Sequence, residues 1–96
     1  MNEERKRISS IEYNTKYLRS FKKLPIPIQQ KTREKEYLFY ANPFDPRLET
    51  HKLRGKFNGY WAYSVNHKYR VIFRFISNVK VLFFDIGLHP IYGQSE

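Results

Sequence analysis

Residues 60–86 read Y-W-A-Y-S-V-N-H-K-Y-R-V-I-F-R-F-I-S-N-V-K-V-L-F-F-D-I. Aromatic and β-branched residues dominate, and apolar positions alternate in runs of strand length. Tyr60–Asn66 reads as one strand and His67-Lys68 as a tight connection. Tyr69–Ile76 and Val79–Ile86 then form a hairpin about Ser77-Asn78. Within Tyr69–Ile76 the odd positions Tyr69, Val71, Phe73 and Phe75 are apolar, and the even positions are Arg70, Ile72, Arg74 and Ile76. Side chains alternate between faces along a strand, so one face is core and the other sets two arginines on an apolar floor. Ile72 and Ile76 on that second face also need cover. The last run, V-K-V-L-F-F-D-I-G, is apolar on both faces, which marks a central strand.

Upstream, Ile8–Asn14 suits a short strand. Asn14 or Thr15 can cap a helix running to about Lys23, with Tyr17, Leu18 and Phe21 on its buried side. The linker L-P-I-P follows, and Pro27 suits the first turn of a second helix, Ile28–Tyr40. That helix is anchored by Ile28, Leu38 and Phe39, and its charged middle, K-T-R-E-K-E, reads as a solvated face. Asn42-Pro43 and Asp45-Pro46 stop it. Leu53–Lys56 reads as a short strand ending at Gly55, and Asn58-Gly59 as a turn. Residues 1–7 read as a frayed tail. The expected fold is a single α+β domain over 1–96. An N-terminal strand and two-helix hairpin pack on one face of a small antiparallel sheet, leaving a basic, partly apolar concave face opposite.

Ninety-six residues, 41% hydrophobic and 18% aromatic, suffice for one modest core. Cysteine is absent, which excludes disulfides and thiolate metal sites. No apolar run approaches the ~18 residues of a membrane span. The start, M-N-E-E-R-K-R, lacks the apolar core of a secretory signal. The expected location is cytoplasmic, with no membrane partner. Charge says more. Eighteen Lys and Arg against nine Asp and Glu give +9. Between Arg47 and Lys80 stand Arg47, Lys52, Arg54, Lys56, Lys68, Arg70, Arg74 and Lys80, with the single acid Glu49. A small domain so charged suits a polyanion, because phosphate neutralisation releases counterions. An acidic protein is the alternative partner.

Four ordered motifs carry a family resemblance: N-P-F-D-P-R-L-x-T-H-K-L-x-G-K from Asn42, G-Y-W from Gly59, Y-R-V-I-F from Tyr69, and F-x-D-I-G-x-H-x-x-Y from Phe83. Together they resemble the RelE/ParE superfamily of toxins from type II toxin–antitoxin modules, closest to its RelE/StbE branch with YafQ-like features. The resemblance runs from about Ile11 to Tyr92. It implies a strand–helix–helix–sheet fold, a cognate antitoxin that binds the toxin in a heteromeric complex, and, on the RelE side, an endoribonuclease (mRNA interferase) acting on mRNA, commonly at the ribosome. The ParE side implies a DNA gyrase inhibitor instead. A catalytically degenerate module that only binds RNA or antitoxin is a third reading.

RNA cleavage by an adjacent 2′-hydroxyl needs a group to take its proton, a group to protonate the leaving 5′-oxygen, and cations for the charge on phosphorus. It needs no metal, and no cofactor is implied. Histidine suits the proton transfers and arginine the phosphate. The resemblance assigns His89, Arg70 and His51 to catalysis. Lys52, Arg54, Lys56, Lys68 and Arg74 are candidate phosphate contacts, and Tyr92 a candidate base-stacking residue. His67 is expected in an exposed turn, Trp61 in the core, and Asp85 in a structural pairing with an arginine. The sequence departs from both known catalytic sets. Ala62 and Ser64 lie on the strand where RelE carries lysines, Ser64 stands at a YafQ-like histidine position, and Lys68 at an acidic one.

Overall fold

The computed structural model describes residues 7–88. His89 and Tyr92, and residues 1–6 of the expected tail, lie outside the described residues. The elements in chain order are β1 (Ser10–Tyr13), α1 (Thr15–Lys22), α2 (Ile26–Ala41), β2 (His51–Lys52), β3 (Trp61–Ser64), β4 (Tyr69–Phe75) and β5 (Lys80–Leu88). The sheet order is β1-β5-β4-β3-β2. All neighbours are antiparallel except β1, which runs parallel to β5. The N-terminal strand, expected to pack with the helices on a face of the antiparallel sheet, instead joins the sheet as an edge strand beside β5, and the α1–α2 hairpin that follows it separates it from the remaining strands.

Local chemistry accounts for the helices. Asn14 Oδ1 accepts the Tyr17 backbone N–H at 2.8 Å, satisfying a donor that the first turn leaves unpaired. Arg19 and Lys22 lie in the last turn of α1, where positive charge complements the helix dipole. The Gln29 side-chain amide donates to the Phe21 carbonyl at 3.2 Å and the Leu24 carbonyl at 3.1 Å, so α2 supplies hydrogen-bond donors at the C-terminal end of α1. This ties the two helices across the short Leu24-Pro25 link. Helix α2 begins at Ile26, two residues earlier than expected, because Pro27 is accommodated within its first turn. It ends at Asn42-Pro43 as expected.

The main core lies between the helices and the sheet. Phe39 of α2 is its hub. Its ring stacks on Tyr63 at a centroid distance of 5.1 Å and meets Phe73 and Phe83 edge-on at 4.9 and 5.3 Å. Tyr17, Leu48, Val65, Val71, Val81 and Ile86 complete it, all buried. The charged middle of α2 is not simply solvated. Thr32 is fully buried and returns its hydroxyl to the Ile28 carbonyl at 2.7 Å. Arg33 lies over the Phe21 ring, and Glu36 accepts the Tyr13 hydroxyl. Leu18, expected inside, is 48% exposed: α1 is short, and Tyr17 and Phe21 already fill its contact with the sheet.

The strand parity deduced from Tyr69–Ile76 holds. Val71 and Phe73 enter the main core, whereas Ile72 joins Leu53 and Ala62 in a second cluster on the opposite face. Phe57, Tyr60 and Phe84 close over that cluster. Residues 53–60 are therefore a cover, not the strand expected at Leu53–Lys56. Gly55–Phe57 forms a 3-10 turn entered at φ 66°, and Gly59 at φ 95° reverses the chain, so the pairing strand is displaced upstream to His51–Lys52. Ile72 is 1% exposed, but Ile76 stays 43% exposed beyond the reach of this cover. A bulge in β5 completes the arrangement. Ile72 pairs with Asp85 but Phe73 with Phe83, leaving Phe84 unpaired and available to the second cluster.

Candidate nucleic-acid interface

The sheet face turned away from the helices is built row by row from the register. His51, Ala62 and Ile72 form one row, and Ser64, Arg70 and Gly87 the next. Arg74, opposite Leu82, follows on the other side of Ile72. Sequence reasoning placed Arg70 and Arg74 on this face, and the register brings His51 to it as well.

Arg70 is half-buried. Its Nη1 donates to the carbonyls of Asn66 at 2.6 Å and Tyr69 at 3.1 Å. Asn66 in turn shapes the β3–β4 turn, where its Oδ1 accepts the backbone N–H of Lys68 and Tyr69 at 2.8 and 2.9 Å. With both Nη1 protons engaged, the guanidinium keeps its Nε–Nη2 edge, which forms no hydrogen bond among the described residues. That edge matches two oxygens of a phosphate.

His51 is exposed, and its Nδ1 lies 3.0 Å from the Glu49 carbonyl oxygen. A carbonyl can only accept, so Nδ1 carries the proton of this contact. Glu49 is itself unusual. It is the one non-glycine residue with positive φ among the described residues, at φ 54° and ψ 40°, a conformation that costs roughly 1 kcal/mol. From there its Oε1 accepts the Ser64 hydroxyl at 2.9 Å. Ser64 is 6% exposed, so the bond satisfies a buried polar group in the Arg70 row. Sequence reasoning counted Glu49 only as an exception in a basic stretch, and noted Ser64 only as a departure. The signal that could have found the pair was the lone acid beside His51.

The other basic candidates divide. Arg54, Lys56, Lys68 and Arg74 are exposed and make no ion pair among the described residues. Arg54 and Lys56 sit on the cover over the second cluster, and Lys68 beside His67 in the exposed β3–β4 turn. Lys52 is not brought to this face: it pairs with Trp61 at the sheet edge, and its Nζ lies 5.7 Å from the indole on the helix side. Trp61 packs on the main core as expected. Lys80 faces Glu12 at 3.6 Å. Arg47 grips Asp45 through Nε at 3.0 Å and Nη2 at 2.8 Å, and those hydrogen bonds hold the Asp45 carboxyl down to about 2. Asp85 is structural, but its partners are Ser20 Oγ at 2.7 Å and Lys16 at 3.8 Å, not an arginine. Both partners lie on α1.

Two clefts among the described residues, about 290 and 190 Å³, lie on the helical side. Arg33 and Glu36 border both. Tyr37 and Tyr40 line the larger, and Tyr13, Tyr17 and Phe21 the smaller. Burial pushes the Tyr13 and Tyr17 hydroxyls and the Glu36 carboxyl up from their ordinary values. Neither cleft is lined by Arg70, His51 or Arg74 of the basic face. No group of three or more metal-ligating side chains occurs among the described residues, and no described helix is long and apolar enough to cross a membrane.

Solved structures share this arrangement. The toxin–antitoxin complex RelBE2 from Mycobacterium tuberculosis superposes with a TM-score of 0.72 at 19% identity, covering 88% of this chain and 97% of that one. The YoeB/ParE toxin from Agrobacterium tumefaciens gives 0.70 at 14% identity, covering 83% and 98%. The DinJ-YafQ toxin–antitoxin complex from E. coli gives 0.67 at 22% identity, covering 82% and 90%. No protein-family model and no curated protein sequence matches the chain. The likeness is one of fold: two helices on a five-stranded, mostly antiparallel sheet, the RelE-like fold of these toxins.

Proposed function

We propose that this protein is the toxin of a type II toxin–antitoxin module and cleaves mRNA, at the ribosome, by metal-independent attack of a 2′-hydroxyl on the adjacent phosphate. The observation that carries this reading is Arg70. Its guanidinium is fixed by two backbone carbonyls, with the Nε–Nη2 edge left for a phosphate, on the sheet face that also carries His51. Arg54, Lys56, Lys68 and Arg74 supply counter-charge along the strand of RNA. His51, and His89 beyond the described residues, supply the proton transfers, and Tyr92 a stacking surface. The antitoxin is the second partner. Leu18, Ile26 and Tyr37 expose apolar surface on the helical side, 48%, 61% and 79% accessible, of the kind a protein partner covers.

The test is mRNA cleavage mapped by primer extension in a reconstituted translation system, with wild type, Arg70→Ala and His89→Ala, each with and without ribosomes. Ribosome-dependent cuts at fixed codon positions, lost in both variants, are expected. Cuts without ribosomes keep the nuclease and discard the ribosomal step. A folded wild-type protein that cuts nothing sinks the enzyme. Loss of DNA supercoiling on its addition would then identify a gyrase inhibitor.

A further inference from the structure

The helical face of the sheet does not close at its outer edge. The row Phe73, Trp61, Lys52 runs across β4, β3 and β2 from a fully buried ring to an exposed lysine. Strand β2 is two residues long and last in the sheet order, and Trp61 beside it is only partly buried. Phe44 and Phe75 stand nearly perpendicular to the indole, at centroid distances of 5.3 and 5.7 Å. The turn that carries Phe44 is tied at both ends. Asn42 Oδ1 accepts the Phe44 N–H at 2.9 Å, and the Thr50 hydroxyl donates to the Pro43 carbonyl. Phe44 nevertheless stays 39% exposed. Lys52 Nζ lies over the indole at 5.7 Å, so this ring face sits beneath a side chain that solvent reaches. Charge at the edge favours an anion. Lys52 forms no ion pair among the described residues, and the acid of the turn, Asp45, is gripped by Arg47 and faces Lys35.

We propose that Trp61 is a stacking platform for one base of the RNA, and that Lys52 leaves the indole for the phosphate of that nucleotide when the strand binds. This rests on the RNA-binding part of the reading above. A nucleotide satisfies both groups at once: its base takes the ring face and its phosphate takes the ammonium. The exchange is favourable, because a cation over an exposed ring is held less strongly than a stacked base. Successive residues of a strand point to opposite faces, so His51 and Lys52 flank the β2 edge from either side. The RNA passes from the Arg70 face over this edge to the indole. Lys52, expected from the sequence to contact phosphate but turned away from the basic face, does so on the other side.

Trp61 is the one tryptophan of the chain, so its fluorescence reports on this site alone. The probe is a short 2′-O-methyl oligoadenylate, which has no free 2′-hydroxyl and cannot be cleaved, with an abasic strand of the same length as control. Binding is followed separately by the anisotropy of a labelled strand. Saturable quenching of Trp61 that tracks binding of the oligoadenylate, and is absent with the abasic strand, is expected. Trp61→Leu keeps an apolar side chain but no ring and should lose about tenfold in affinity, whereas Trp61→Phe should lose no more than about threefold. Thermal melts verify that both variants fold. Lys52→Ala should flatten the slope of log affinity against log salt by about 0.7. Binding without quenching, equal quenching by the abasic strand, or wild-type affinity in Trp61→Leu would overturn the platform and leave the nuclease untouched. Quenching by the cognate antitoxin but not by the strand would give this edge to the protein partner and overturn it too. Quenching by a protein that cuts no mRNA would sink the enzyme and support the platform.

Discussion

The two faces of one sheet follow different rules. On the helical face Phe39, Tyr63, Phe73 and Phe83 make a closed aromatic contact in which every ring has a fixed neighbour. On the other face three buried residues, Leu53, Ala62 and Ile72, are covered by a loop, and charged groups begin immediately beside them. The first face holds the fold and leaves no room for chemistry. The second keeps just enough apolar packing to set Arg70, His51 and Glu49 on a firm floor. A strand with two buried sides thus separates stability from function by parity alone, and substitutions on odd and even positions of β4 should behave differently.

The strongest challenge to that division is Phe39→Ala. Removing the hub ring should cost about 3–5 kcal/mol and lower the melting temperature by roughly 15 °C or more. A calorimetric shift of only a few degrees would mean the helical face is not the main source of stability. Ile72→Ala comes next. The smaller cluster should lose about 2–3 kcal/mol, and because the cover over it loosens, RNA affinity should fall along with the melting temperature. If stability drops and binding does not, residues 53–60 are not part of the interface. Arg74→Ala should leave the melt within about 0.5 kcal/mol. It should reduce the slope of log affinity against log salt for single-stranded RNA by about 0.7, one phosphate contact. An unchanged slope would remove Arg74 from the RNA path.

The smallest effect is expected on the helical side. Burial raises the Glu36 carboxyl above its unfolded value, so its contribution to stability is full below the unfolded value and is lost as pH rises through the folded one. Glu36→Gln, which keeps an acceptor for the Tyr13 hydroxyl, should therefore stabilise the protein slightly at neutral pH and not in acid. Paired melts at pH 4 and pH 7 check the sign, and a variant less stable at pH 7 would show that the carboxylate's hydrogen bond outweighs its desolvation.

How far the sequence was legible follows from the range of each interaction. The helix start at Asn14, the place of Pro27 in the first turn of the second helix, the stop at Asn42-Pro43, the turns at Asn58-Gly59 and Ser77-Asn78, and the parity of β4 are all local, set by side chains within a few positions of the backbone they govern. Those readings agree with the structure. The placement of β2 differs from the expectation, because Leu53 packs with Ala62 and Ile72 in a covered cluster and does not extend a strand. Leu18 was misassigned since helical periodicity cannot say how much of an eight-residue helix the sheet will reach. The parallel pairing of β1 with β5 joins residues about seventy positions apart, and nothing in either strand records it.

By itself, then, the sequence determined an α+β chain of these elements, a strand with two unlike faces, and a basic surface on one of them. Each depends on the identity of neighbouring residues and on the two-residue period of a strand. Only the tertiary structure decided which polar groups share that surface. Ser64 meets Glu49 across fifteen positions, Arg70 is braced by the turn at Asn66, and Lys52 is turned to the other face. Those relations are made by sheet register and by one left-handed residue, and both are fixed only once the strands have paired around Phe39.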